Sequence, residues 1–408
     1  MKVLILNTTE RTGGAAIAAS RLMNALRKEG VEAKMLTRRE SINFSLHHFI
    51  TSSLHHFITS SLHHFITSSR LSLKPWAFYW ERLRICMANH FSKQNLWIVD
   101  IANCGEDITR THEFQEADVI HLHWVNQGFL SLRNIERILQ SGKRIVWTLH
   151  DQWPYAGICH YTEGCDRYQS HCHNCPQLIH PSDHDLSYKV FKEKLRIWQK
   201  AGITFVGCSQ WIADLAKKSA LTQGHNITSI PNAIDHNVFR PIPKQEARKA
   251  FGLPEEEKIV LFISQKVTDE RKGIRYLEEA IKLLSGIRLV RVGKGGDYEI
   301  HDEQRMAQLY AAADAFVTPS LQDNLPNTIV EAMSCGTPCV GFNVGGIPEM
   351  IHHKLDGYVA RYRDSNDLAE GISYVLAHPE LGNAAAQYAK ETYDEHRVAQ
   401  LYLSAYTS

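Results

Sequence analysis

Leu321–Glu349 reads LQDNLPNTIVEAMSCGTPCVGFNVGGIPE and follows a short apolar run, residues 315–318, that ends in Thr-Pro-Ser. An apolar run of that length without alternation is expected to be a strand buried on both faces. The polar residues after it form a loop containing Asp323, and a helix is expected over 327–335. Glu331 then stands one or two turns inside that helix. The amides of Asn324, Leu325 and their neighbours up to Asn327 precede the helix without internal partners, a place suited to a diphosphate. Asp323 and Glu331 can accept directional, charge-assisted hydrogen bonds from sugar hydroxyls. Gly336 and Pro338 end the helix and admit a strand over 338–342. Gly345-Gly346 gives a second close approach of backbone to ligand. Taken singly, Glu331 reads equally well as surface polarity and the glycines as turns. The ordered string argues for a site.

The same alternation extends both ways along the chain. Strands are expected at 258–263 and 288–292, and helices at 274–284 and 303–313. Near the start, KVLILN (2–7) reads as a buried strand. Gly13-Gly14 opens a helical pattern with Ala15, Ala18, Ala19, Leu22 and Leu26 on one face and Gly30 at its end. VEAKMLT follows as a second strand. Further strands are expected at 118–122, 144–149 and 204–208, with a helix from about Gln210. Pro231 to Pro254 contains four prolines and reads as a connection between two series. The expected fold is α/β: two Rossmann-like domains facing across a cleft, residues 1–230 and 231–388. Residues 389–408 are expected to form a C-terminal helix that packs back on the first domain. Sheets of this kind place ligands at the carboxyl ends of their strands.

Other candidates lie at those ends. In SQKVTDERKG (264–273), Lys266 and Lys272 can neutralise charge on a leaving phosphate, with Arg271 competing for that contact. Gly293 and Gly295, in VGKGG, can pass close to a nucleotide base. His150 follows a strand in TLHDQW, and His123 finishes another as a pocket-lining candidate. Gly13 and Gly14 let the first loop approach a phosphate, and Arg11 beside them can meet a phosphate or an anionic acceptor.

Together these residues resemble the retaining glycosyltransferases of family 4, which have the two-domain GT-B architecture. The match rests on Asp323, seven intervening positions and Glu331-Ala-Met, then Gly336-Thr-Pro338 and Gly345-Gly346-Ile-Pro-Glu349. It includes the Gly-Gly loop, His150 and the segment Pro231-Asn232-Ala233-Ile234-Asp235. The branch it resembles most makes colanic acid, capsule or lipopolysaccharide. Asp323 departs from the usual glutamate, and Lys266 stands where arginine is common, which keeps the charge and loses the bidentate fork. The resemblance implies a nucleotide-sugar donor, UDP- or GDP-linked, and a lipid-linked or polysaccharide acceptor. It implies that Glu331 holds the ribose, that Asp323 holds sugar hydroxyls and that His150 helps position the donor sugar. It implies no catalytic metal. Two rival readings are a nucleotide-sugar epimerase of the same shape and a non-catalytic, zinc-stabilised glycan-binding protein.

GICHYTEGCDRYQSHCHNCP contains Cys159, Cys165, Cys172 and Cys175 in the spacing C-x5-C-x6-C-x2-C. Four thiolates can close the shell of a structural zinc ion. His160, His171 and His173 are alternative ligands. Free thiols, a disulfide cluster and chance compete with that reading.

The chain has 45 basic and 44 acidic residues, a balance that gives no support to nucleic-acid binding through backbone attraction. Nine cysteines, mostly scattered, fit a reducing cytoplasm. The first apolar run is too short for a signal peptide, and no segment is apolar for long enough to span a membrane. Residues 71–91 mix aromatic and basic residues, as at a membrane surface or in an ordinary packed helix. Residues 45–68 repeat SLHHFITS three times. A period of eight drifts on a helix, and the unit has neither cysteine nor carboxylate. It reads as a tandem duplication in a surface loop that adjusts acceptor access and leaves the chemistry to other residues.

Overall fold

The computed structural model describes residues 1–38 and 74–407. The repeat at 45–68 lies outside the described residues. Strands β1 (Lys2–Asn7), β2 (Glu32–Thr37), β3 (Val119–Leu122), β4 (Arg144–Leu149), β5 (Ile203–Gly207) and β6 (Asn226–Ser229) form one sheet. Its order is β2-β1-β3-β4-β5-β6, with every pair parallel. Strands β7 (Lys258–Lys266), β8 (Ile287–Lys294), β9 (Ala315–Thr318), β10 (Cys339–Phe342) and β11 (Gly357–Ala360) form a second parallel sheet in the order β11-β10-β9-β7-β8. This is the two-Rossmann-domain GT-B architecture.

Parallel strands need crossover helices, and helices on both faces explain why the central strands are apolar runs. Val3 to Leu6 and Ile145 to Leu149 are buried without a break. Trp147 of β4 is fully buried against Trp153 and Trp198, and each indole stabilises the first domain by about 2–3 kcal/mol. The Trp147 indole also donates to the His123 carbonyl at 3.1 Å, which ties the end of β3 to β4.

Each sheet has one point where the strand order reverses. In the first it lies between β1 and β3, and in the second between β7 and β9. A crevice opens at the carboxyl edge of such a point. The loops there carry His123 on one side and Lys272 and Asp323 on the other.

The structure departs from the expected elements in four places. The first helix, Gly14–Lys28, buries Ala16 and Ala25, while Ala15 is only half-buried. The reason is that its inner face is shared between the sheet and the last helix of the chain. Residues 231–254 are not simply a connection. Ile234 and Phe239 already belong to the second core, and a helix, Lys244–Ala250, follows Pro243 at its N-cap position. β6 and β11 are not among the expected strands: both are edge strands, and NITS and GYVA lack the apolar run of a strand covered on both faces. Finally, the return to the first domain begins at Asp394. Helix Leu381–Tyr393 still packs in the second core. Helix Glu395–Thr407 then lies on the first sheet, with Val398, Ala399 and Tyr402 against Val3 and Val146.

Candidate active site between the two sheets

Asp323 sits at the carboxyl end of β9 and is buried. Its Oδ2 lies 2.5 Å from the Lys272 ammonium and 4.0 Å from the Arg271 guanidinium, and it accepts from the Ser320 hydroxyl at 3.3 Å. Burial alone would raise this carboxyl. Lys272 and Arg271 outweigh it and hold Asp323 below its ordinary value. Lys272 is placed by backbone: Lys272 N donates to Asp269 O at 2.9 Å, and Leu321 N donates to Arg271 O at 2.8 Å. Two loops after neighbouring strands are thereby zipped together.

Glu331 lies in helix Asn327–Ser334 and is buried. Its Oε1 accepts from Arg21 at 2.8 Å and its Oε2 accepts from the Tyr310 hydroxyl at 2.8 Å. Arg21 comes from the first domain, also pairs with Glu303 at 2.7 Å and stacks over Phe239 at 4.9 Å. Each Glu331 oxygen has accepted one bond and keeps a further lone pair for a hydroxyl.

The two halves meet directly around these groups. Asn324 donates to the carbonyls of Leu149 at 3.0 Å and His150 at 3.3 Å, and accepts from Ser209 at 2.5 Å. Asn327 donates to Gly14 O at 3.0 Å and accepts from Asn232 at 2.8 Å. Glu349 accepts from the amides of Gln210 at 2.7 Å and Trp211 at 2.5 Å, so it caps helix Gln210–Lys217 across the cleft.

His150 Nε2 and His123 Nδ1 are 2.8 Å apart, one donating to the other. Burial pushes His150 down to about 4 and His121 to about 3. His123 falls well below its ordinary value through burial first, then through its two histidine neighbours. The His123 Nε2 atom is buried without a partner among the described residues. All three are therefore neutral at pH 7, and the unfolded chain takes up protons that the folded one refuses. Their stabilisation is present above pH 6.5 and is lost as pH falls toward about 4 for His150 and about 3 for His121. Between about pH 7.5 and about pH 5 the loss is about 2 kcal/mol for His150 and about the same for His121. Glu81, raised to about 8 by burial and by Asp100, titrates in the opposite sense and offsets part of it. Urea unfolding at the two pH values, on the wild type and on His150→Asn, checks the sign. The variant should lose about 2 kcal/mol less on acidification, and equal losses would refute the linkage.

The structure brings His150, Lys272, Asp323, Asn324, Glu331 and Gly14 to one cleft. Gly345 and Gly346 lie against the backbone of Asp323 and Asn324. Gly293 packs against the Ser264 carbonyl. Leu325 turns its side chain into the second core. Gly13 is exposed at the start of the first helix. Lys266 is exposed at the end of β7. Arg11 is exposed and meets only its neighbour Glu10, at 3.9 Å, among the ion pairs of the described residues. The four cysteines line a separate small cavity. Sequence reasoning missed Arg21, Tyr310, Ser209 and Tyr161. It quoted Glu349 without giving it a role.

A model described as glycosyltransferase family 4 matches residues 12–238, and one described as glycosyl transferases group 1 matches residues 257–378. A glycosyl transferase assigned to colanic acid biosynthesis in Escherichia coli (strain K12) is 24% identical over 314 residues, 71% of this chain and 76% of that protein. The N-acetyl-alpha-D-glucosaminyl L-malate synthase of Bacillus anthracis is 28% identical over 204 residues, 44% of this chain and 52% of that protein. Among solved structures, sucrose-phosphate synthase from Thermosynechococcus elongatus aligns with a TM-score of 0.65 at 18% identity, covering 100% of this chain and 99% of that one. HepE from Anabaena, in complex with UDP-glucose, aligns with a TM-score of 0.61 at 16% identity, covering 100% of this chain and 99% of that one. At these identities the structural likeness is one of fold.

Proposed function

The chain belongs to glycosyltransferase family 4, and from that premise we propose that it moves a sugar from a nucleotide-sugar donor to a polysaccharide or lipid-linked oligosaccharide, with retention of anomeric configuration. The observation that carries this reading is the cleft itself. Two buried carboxylates, Asp323 and Glu331, each stand beside a cation at the carboxyl edge of a parallel sheet. Carboxylates so held accept hydroxyls, and the adjacent cations suit a diphosphate.

In this reading Glu331 holds the ribose through its remaining lone pairs, and Asp323 holds hydroxyls of the donor sugar. Lys272 and Lys266 stabilise the diphosphate, with Arg271 beside them. The bond between the anomeric carbon and the phosphate oxygen breaks as the acceptor oxygen bonds to the same face of that carbon. The acceptor's proton passes to the leaving phosphate. His150 and His123 stay neutral, so they position hydroxyls without adding charge. The donor is a UDP-sugar in this proposal, supported by the UDP-glucose complex of HepE. The likeness to a colanic acid protein supports a cell-surface glycan as product.

Among the described residues no helix is long and apolar enough to cross a membrane. We place the enzyme in the cytoplasm, at the inner face of the cell membrane. On helix Lys74–Ala88 the side chains of Trp80, Leu83 and Met87 are exposed, an apolar strip that suits a lipid surface.

A thermal-shift panel of UDP-, GDP- and ADP-sugars tests the donor. A UDP-sugar at about a hundred times its Kd should stabilise the protein by about 2.7 kcal/mol, and acceptor-dependent release of UDP should follow. Stabilisation by GDP-sugars alone would overturn the UDP assignment. Release of a free epimerised donor without acceptor would overturn the transferase reading.

A further inference from the structure

We propose that Cys159, Cys165, Cys172 and Cys175 hold a structural zinc ion, and that this ion fixes the loop that delivers Tyr161 to the cleft. The four thiols line one cavity of about 20 Å³. That is room for about one water-sized body, and an ion drawn in by thiolates is smaller. All four cysteines are free, and three of them are buried. Among the described residues no three side chains already stand gathered as metal ligands. The thiols line the void without meeting at one point, so their side chains must turn toward it as the ion binds.

Three features bear on an ion there. First, Lys194 is fully buried and donates only to the carbonyls of Trp153 at 2.6 Å and Ala156 at 3.0 Å. Its ammonium lies 3.4 Å from the Trp153 ring, and it forms no ion pair with a carboxylate among the described residues. A buried ammonium without an anion is costly. Zinc with four thiolates is a net dianion, and Ala156, whose carbonyl Lys194 meets, lines the same cavity as the four cysteines. Second, the backbone at Gly157 closes directly on the Cys172 side chain and helps fix where its sulfur stands. A Cβ on Gly157 would lie 3.2 Å from the Cys172 sulfur, so the approach leaves little room for a side chain. Third, the chain between Tyr155 and Leu186 has only the short 3-10 turn Arg167–Gln169 as a helix. A segment that long with so little regular structure needs a staple.

The segment reaches the active site within two residues of its first cysteine. Tyr161 carries its ring 5.8 Å from the Arg271 guanidinium, which stands beside Asp323. His160 bonds Asp151 at 2.7 Å, and Asp151 follows His150 in the chain. Zinc binding would release the four thiol protons to solvent and tie this path in place.

The test uses the full chain purified without chelator. Elemental analysis should find about one zinc per chain, released when a mercurial blocks the thiols. After exchange for cobalt, the protein should show the visible bands and sulfur-to-metal charge transfer of a tetrahedral tetrathiolate. Cys165→Ser, at the least buried of the four, should remove one ligand's share of that charge-transfer intensity. The same variant should lower hydrogen-exchange protection over 157–177 and leave 258–360 unchanged. Folded protein with only trace zinc, with iron in its place, or with a cobalt spectrum indifferent to Cys165→Ser would overturn the proposal. If Cys165→Ser fails to fold, metal content and the cobalt spectrum of the wild type decide.

Discussion

Lys272→Ala should lower kcat about a hundredfold, or about 2.7 kcal/mol of transition-state stabilisation, and change the donor KM far less. The expectation follows from where the ammonium stands. It is 2.5 Å from Asp323, at the mouth of the crevice between β7 and β9. In the proposed reaction negative charge grows on the phosphate as the sugar leaves, and a fixed cation is worth most at that moment.

A simpler explanation of the same loss must be separated from this one. Lys272 also holds Asp323 ionised, so its removal could act only through that carboxylate. A double-mutant cycle with Asp323→Asn distinguishes the two. If Lys272 merely supports Asp323, the double variant should be no slower than Asp323→Asn alone. If Lys272 acts on the phosphate, the double variant should be slower by at least about tenfold. Steady-state transfer assays on the four proteins give the answer, and an active Lys272→Ala would remove the proposed role altogether.

The fold is legible in the sequence where local chemistry determines it. Apolar strands such as KVLILN, and the loop and helix from Asp323 to Ser334, announce themselves because buried parallel strands must be apolar and helix ends need turn residues. The carboxylates are legible because they fall at fixed distances from those signals. The groups that complete the site are not. Arg21 is one more arginine on an amphipathic helix until the fold brings it to Glu331, 310 residues away. Ser209 and Asn324, 115 residues apart, are linked only once the two sheets face each other. The Glu349 cap on helix Gln210–Lys217 likewise spans 139 positions and leaves no periodic trace. Strands β6 and β11 fail to show for a different reason: both lie at a sheet edge, and NITS and GYVA lack the apolar run that marks a central strand.

Gly345→Ala should damage both the stability of the second domain and the transfer reaction. Gly345 has φ +62°, and a Cβ built there would lie 1.7 Å from the Asp323 carbonyl oxygen. The backbone conformation alone costs an alanine about 1 kcal/mol. The overlap cannot be relieved by a side-chain rotation, because its partner is main chain. The loop carrying Asp323 and Asn324 must move, and with it the bonds to Lys272, Leu149 and Ser209. The expected outcome is a stability loss of about 3 kcal/mol together with transfer reduced by at least about a hundredfold. Gly30→Ala supplies the control. Gly30 has φ +78° and nothing within 4 Å of an added Cβ, so it carries the conformational cost without the collision. It should lose about 1 kcal/mol and keep its activity. Urea unfolding and transfer assays on both variants separate strain from displacement. If Gly345→Ala behaves like Gly30→Ala in both measurements, the Gly345–Asp323 approach does not hold the catalytic loop.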